Sequence, residues 1–139
     1  MRRAAVLAVV ALATLAACGS EATSDGRTGA PSAGTSLTVV VTPDEGKDAS
    51  TYELTCDPAG GDHPQPEQAC EAVAAAGASV FEPVPAGQSC TQIFGGPQTA
   101  TVTGTYDGRQ VDATFSRTDG CEIARWDDLG TTFFTVPLQ

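Results

Sequence analysis

SLTVVVT, residues 36–42, sets Leu37, Val39 and Val41 on one side and Thr38, Val40 and Thr42 on the other, the two-residue period of a strand with one buried face. The polar stretch PDEGKDAS predicts a turn, and Tyr52, Leu54 and Cys56 then repeat the period in TYELTC. These two strands read as antiparallel neighbours. DPAGGDHPQP is loop by its proline and glycine content. EQACEAVAAA, residues 67–76, consists of good helix formers, with Pro66 suited to the first turn and Gly77 to the stop. Helical spacing puts Cys70, Val73 and Ala74 on one face and points the Cys70 thiol inward.

Residues 78–98, ASVFEPVPAGQSCTQIFGGPQ, read mainly as loop, and at that length a connection is usually functional or disordered. TATVTGTY and RQVDATFSR flank Asp107 and Gly108, a favoured two-residue hairpin turn, and alternate Ala100, Val102, Gly104 and Tyr106 with Val111, Ala113 and Phe115. Asp119 suits the cap of a short helix, GCEIARWDDL, in which Trp126 is expected to be core packing; Gly130 ends that helix. TTFFTVPL is β-branched and aromatic and reads as a last strand. About five strands and two helices in this order make an α+β fold.

The chain opens MRRAAVLAVVALATLAAC, with Arg2 and Arg3 before an apolar run that ends in small residues, the layout of a secretory signal. Leu15, Ala16, Ala17 and Cys18 resemble a bacterial lipobox, in which the cysteine carries lipid and becomes the mature N-terminus. Cysteine arithmetic agrees: five cysteines leave one odd in an exported protein, and setting Cys18 aside leaves an even four. The expected organisation is a signal peptide at 1–17, a lipid-anchored flexible tether at 18–35 and one domain at 36–139. The tether, GSEATSDGRTGAPSAGT after Cys18, has no aromatic residue or apolar period. As a coil it spans on the order of 20 to 25 Å. The protein is thus expected on the outer face of the bacterial cell membrane.

Seven basic against 17 acidic residues give a net charge of −10, and loss of Arg2 and Arg3 with the leader makes it more negative. Such a surface repels phosphate backbones and anionic headgroups. Nucleic acid is therefore excluded as a partner, and the lipid on Cys18 is the only expected membrane attachment. The one histidine, His63, lies between Asp62 and Pro64 in a turn and is expected to be solvated, which argues against a hydrolytic triad. There is no phosphate loop or dinucleotide fingerprint, and the four remaining cysteines lack the CxxC spacing of a zinc site. Asp44, Glu45 and Asp48 in a turn, with Asp127 and Asp128 at a helix end, do not match a calcium loop. No metal, cofactor or catalytic activity is expected. Cys56, Cys70, Cys90 and Cys121 allow three disulfide pairings.

LTCDPAGGDHPQPEQACEAVAAAG, residues 54–77, closely resembles the first-disulfide region of the Streptomyces subtilisin inhibitor family, secreted inhibitors of subtilisin-like serine proteases. Strand, Cys, Asp-Pro, a Gly-His-Pro turn, Pro, and a helix with Cys and an Ala-rich tail come in the same order. The likeness continues more loosely through Cys90, the hairpin VTGTYDGRQV and Cys121-Glu122. It implies a five-stranded antiparallel sheet with two helices, bridges Cys56 to Cys70 and Cys90 to Cys121, and a tendency to form homodimers through the sheet.

The resemblance also implies a reactive-site loop of Ser89, Cys90, Thr91, Gln92, Ile93 and Phe94. The family's scissile bond lies two residues after the third of these cysteines, which puts P3 at Cys90, P2 at Thr91, P1 at Gln92 and P1′ at Ile93. Family members commonly carry Pro at P2 and Met, Lys or Arg at P1. Here Thr91 and Gln92 stand at those places, and Gly95 and Gly96 make the segment one residue longer before Pro97. A neutral, polar Gln92 is unsuited to the charge-paired pocket of a trypsin-like enzyme. The implied function is blocking a subtilisin-like serine protease at the cell surface. The alternative keeps the fold without the activity, as a cell-surface lipoprotein binding a ligand or a protein. A third class, an enzyme using two carboxylates brought together in space, is weaker still.

Overall fold

The computed structural model describes residues 33–136; the leader, Cys18, most of the tether and residues 137–139 lie outside them. Five strands form one antiparallel sheet: β1 (Thr35–Thr42), β2 (Ser50–Cys56), β3 (Gly60–Gly61), β4 (Thr99–Tyr106) and β5 (Arg109–Phe115), in the order β3-β2-β1-β4-β5. In the central strand Leu37 stands opposite Leu54 and Val39 opposite Val102. The alternation read from the sequence sets the buried face: Leu37, Val39, Val41, Leu54, Val102, Val111, Ala113 and Phe115 all lie in one core. The hairpin turns at Asp107 and Gly108, both at positive φ, as a two-residue turn that matches strand twist requires.

Two helices cover that face: α1 (Pro66–Ala76), which packs on β2, and α2 (Gly120–Phe134), which packs on α1. Pro66 begins α1, where its missing N–H is not needed, and Gly77 ends it at φ 72. The inward stripe of α1 is Ala69 and Val73, with Cys70 and Ala76 partly buried beside it; Ala74, expected inside, is exposed. The bridge to the end of β2 draws Cys70 to the edge of the stripe and recentres it by one position. Asp119 caps α2 as expected, its carboxylate accepting the N–H groups of Cys121 and Glu122 at 2.9 and 3.1 Å.

The expected five-stranded antiparallel sheet with two helices is present, but its fifth strand is not the expected one. Residues 131–134 are helical, continuing α2 past a kink at Gly130 (φ 76, ψ 175). A strand points successive side chains to opposite faces, so only one of Phe133 and Phe134 would reach the core. On the helix both are buried, Phe134 stacked on the fully buried Trp126 at 4.0 Å between ring centroids. Packing of two adjacent aromatic rings overrides their β propensity. The fifth strand is β3, where Gly60 and Gly61 pair with Thr55 and Leu54 inside the expected loop.

Both bridges are formed, Cys56–Cys70 and Cys90–Cys121, with Cα–Cα separations of 5.8 and 5.4 Å. In the chain-entropy model such closures contribute roughly 3 and 3.7 kcal/mol. In a core this small, that is a large share of the total.

Candidate functional site

After α1 the chain makes one short 3-10 turn, Ala78–Phe81, and then runs without regular structure to β4. Val80 and Phe81 are buried, and Arg125 reaches from α2 to donate two hydrogen bonds to the Val80 carbonyl, so this end of the segment is fixed. Arg125 also pairs with Glu122 at 2.8 Å and lies over the Phe115 ring. Beyond Phe81, residues 82–94 are mostly exposed.

Three ties hold residues 89–95 to the start of α2 and the segment just before it. The covalent one is Cys90–Cys121. The second is the Gly120 N–H, which donates to the Thr91 carbonyl at 2.9 Å. Glycine at 120 suits this approach, because a Cβ there would force the Thr91 side chain to shift. The third is a pair of bonds on the far side: Gly95 N–H donates to the Arg117 carbonyl at 2.7 Å, and Arg117 Nε–H donates to the Gly95 carbonyl at 3.1 Å. A Cβ on Gly95 would come within 2.8 Å of Ile123 Cδ1.

Arg117 is itself locked. Only 7% exposed, it donates to Asp127 at 2.9 Å and lies over the Trp126 ring, 5.9 Å from its centroid. Between the fixed points Thr91 and Gly95, the chain carries Gln92, Ile93 and Phe94. Gln92 Nε2 makes a long contact with the Cys90 carbonyl, and Ile93 and Phe94 are 60% and 67% exposed. Among the described residues these two are the exposed large hydrophobics. Such side chains held out in water are poised to be buried against something else.

The segment proposed from the resemblance is therefore gathered in one place: Ser89, Thr91, Gln92, Ile93 and Phe94 are exposed around a half-buried Cys90. Of its supports, Arg117 and Gly120 have no role in the sequence reading, and Asp127 enters it only as one of the acidic residues that do not match a calcium loop. Arg117 carried one usable signal, a long basic side chain at the end of a strand just before a helix cap.

His63 corrects an expectation. It is 4% exposed, not solvated, with Nε2 donating to the Phe133 carbonyl at 2.9 Å and Nδ1 accepting the Gln65 N–H at 3.1 Å. Tyr52 meets its ring edge-on. Both ring nitrogens are spent on backbone, so His63 joins the β3 loop to the end of α2 and activates nothing. Cys90, Cys121 and the Asp119 carboxylate also lie close together, but the sulfurs are joined to each other and the carboxylate caps α2. Asp127 is paired with Arg117, while Asp44, Glu45, Asp48 and Asp128 are exposed.

A surface groove of about 340 Å³ is lined by Thr42, Asp44 and Glu45 together with Phe94, Gly96, Pro97 and Gln98.

The family model described as subtilisin inhibitor-like matches residues 30–118. Subtilisin inhibitor-like protein 1 of Streptomyces cacaoi is 40% identical over 76 residues, covering 52% of this chain and 68% of that protein. Among solved structures, Streptomyces caespitosus sermetstatin, crystallised in complex with Bacillus licheniformis subtilisin, aligns at a TM-score of 0.46 and 23% identity, over 73% of this chain and 96% of its own.

Proposed function

The chain belongs to the subtilisin inhibitor-like family, and from that premise we propose that it inhibits subtilisin-like serine proteases by offering residues 89–94 as a substrate-like loop. Gln92 is P1 and Ile93 is P1′. The observation that carries this reading is the outward display of Ile93 and Phe94 on a backbone tied down on both sides, at Thr91 and at Gly95.

The physical logic is pre-organisation. A protease binds its substrate as an extended strand, and ordering a free peptide costs conformational entropy. Here the Cys90–Cys121 bridge and the bonds from Gly120 and Arg117 have already ordered the segment, so binding need not supply that cost. If the bond between Gln92 and Ile93 is cut, the same ties keep both new ends in place, and religation competes with release. Gln92 enters the primary pocket, while Ile93 and Phe94 lie along the primed side.

The rest of the functional reading belongs to the same proposal. Cys18 carries the lipid that places the domain on the outer face of the membrane. Homodimers form through the open face of the sheet, where Val40 is surrounded by threonines of β1 and β4.

Titration of the soluble chain, begun after Cys18, against a subtilisin and a trypsin-like enzyme tests the loop. Inhibition of the subtilisin, with trypsin inhibition appearing only in Gln92→Lys, is expected. A wild-type chain that neither inhibits nor is cut between Gln92 and Ile93 rules the assignment out. Cys18→Ala should release the protein from membranes.

A further inference from the structure

We propose that the membrane-anchored chain presents its reactive-site loop away from the bilayer, so that the loop meets soluble proteases arriving from outside the cell. This rests on the readings of Cys18 as the lipid-bearing residue and of residues 89–94 as the protease-facing loop, and adds which proteases can reach it.

The N-terminal chain enters the domain at one end of the sheet. Ala33, the first described residue, lies against the β4–β5 turn, where a Cβ added to Gly108 would come within 2.6 Å of the Ala33 Cβ. Two residues on, the buried Thr35 accepts the Asp107 N–H on its Oγ1 at 3.3 Å and stands opposite Cys56. The point of entry is therefore fixed by the fold.

The loop lies at the other end. β4 begins at Thr99, four residues after Gly95, and reaches the turn only at Tyr106. β5 runs back from Arg109 to Phe115, two residues before Arg117, whose carbonyl and guanidinium hold Gly95. The turn between β1 and β2 sits at that same end, since Asp44 and Glu45 line one groove with Phe94. At about 3.3 Å per residue, the eight residues of β4 set the two ends roughly 23 Å apart.

Fourteen residues separate Cys18 from Ala33, and read as a coil they span on the order of 20 Å. Rotation about such a tether can tip the domain but cannot exchange its ends: the turn end stays within reach of the lipid, while the loop end is free to stand a strand's length further out. Charge opposes lying flat. Asp57, Glu71 and Asp107 line one surface at the turn end, and Asp44, Glu45 and Asp48 lie in the turn at the loop end, so anionic headgroups repel both. A soluble protease meets the loop without touching the bilayer, whereas an active site held at the membrane surface lies below it.

The test uses the mature chain, begun at Cys18, with its one unbridged thiol coupled to maleimide lipid in nanodiscs doped with a gadolinium-chelating lipid. Amide relaxation enhancement falls steeply with distance and should be at least about fivefold larger at Gly108 than at Phe94. A control moves the thiol to the loop end, as Cys18→Ser/Glu45→Cys, at an exposed position outside residues 89–94, and its gradient should reverse. Equal enhancement at the two amides of the wild type, or a gradient that the control does not reverse, overturns the orientation.

In a second arm, inhibition of a soluble subtilisin is measured for each chain, free and coupled to vesicles of phosphatidylcholine and phosphatidylglycerol. Coupling through Cys18 should leave the inhibition constant within about threefold, while coupling through position 45 should raise it about tenfold or more, because the loop is then pressed to the bilayer and cannot engage. An equal rise for both chains overturns the outward presentation. Failure of the free wild type to inhibit, with the gradient intact, sinks the reading of the loop and the protease as partner but leaves the orientation standing. Recovery of the full chain in the soluble fraction of a lipoprotein-processing bacterium sinks the lipid on Cys18 and the membrane-anchored proposal together.

Discussion

From Cys56 to Cys70 the chain turns inward: Gly60 and Gly61 join the sheet, His63 buries its ring against Phe133 and Tyr52, and Pro66 starts a helix. From Ser89 to Phe94 it turns outward, with Ile93 and Phe94 facing water and its backbone tied only at the margins. The inward region holds two half-cystines, three prolines and two glycines, the outward one a single half-cystine and neither proline nor glycine, yet composition does not say which of them faces water. The difference lies in where polar groups and large side chains find partners. A bridge limits how far a loop can stray, whereas internal hydrogen bonds and buried rings decide whether its contents are used for stability or kept for a partner.

The largest effect expected from breaking this contrast comes from the bridges themselves. Replacing Cys90 and Cys121 by serine should lower stability by about 3.7 kcal/mol and replacing Cys56 and Cys70 by about 3 kcal/mol, read by urea unfolding. The two pairs should part in a protease assay. Loss of Cys90–Cys121 frees the outward segment and should weaken inhibition about a hundredfold, while loss of Cys56–Cys70 leaves it within about threefold as long as the chain stays folded. Equal losses of inhibition would mean that the inward loop also shapes the binding surface.

His63→Ala comes next, at about 3 kcal/mol, because it strands the Phe133 carbonyl and the Gln65 N–H and leaves a cavity between Tyr52 and Phe133. Inhibition should hardly change. Arg117→Ala is smaller in stability, about 2 kcal/mol, and larger in function. It removes the side-chain bond to the Gly95 carbonyl and the pair with Asp127. The primed side of the loop then loosens, and cleavage between Gln92 and Ile93 at equimolar protease should proceed about ten times faster, measured by mass spectrometry of the cut chain. An unchanged cleavage rate would show that the bridge alone holds the segment.

The same contrast explains what was legible in the sequence. Strand alternation, the turn at Asp107 and Gly108, the Asp119 cap and the limits of α1 are local codes, and each was read from a few neighbouring residues. His63 was misread because its partners, Phe133 and Tyr52, are distant in sequence, and nothing near it signals burial. Residues 131–134 were misread for the same reason: Thr and Phe favour strand locally, and only the stack of Phe134 on Trp126 decides for helix. β3 has no side chains to form a pattern. At the candidate site, the bait residues were found through resemblance, since exposure of Ile93 and Phe94 follows from supports elsewhere. Those supports, a glycine at 120 and the arginine at 117, act through contacts with residues distant in sequence that no periodicity encodes.

The smallest expected change in stability is the sharpest probe of the comparison. Ile93 and Phe94 are mostly exposed in the free chain, so Ile93→Ala and Phe94→Ala should each shift unfolding by no more than about 0.5 kcal/mol. In a complex the Phe94 ring would be largely buried, and burying such a ring is worth about 1.5 to 3 kcal/mol. Phe94→Ala should therefore raise the inhibition constant about tenfold to a hundredfold, since each tenfold corresponds to about 1.4 kcal/mol. At an inward position such as Phe133, fully buried, truncation should do the reverse: several kcal/mol of stability lost, with inhibition kept by the fraction still folded. If Phe94→Ala costs stability and not inhibition, the outward segment is a packed loop whose ring only seems free, and its role as bait fails whatever family the chain belongs to.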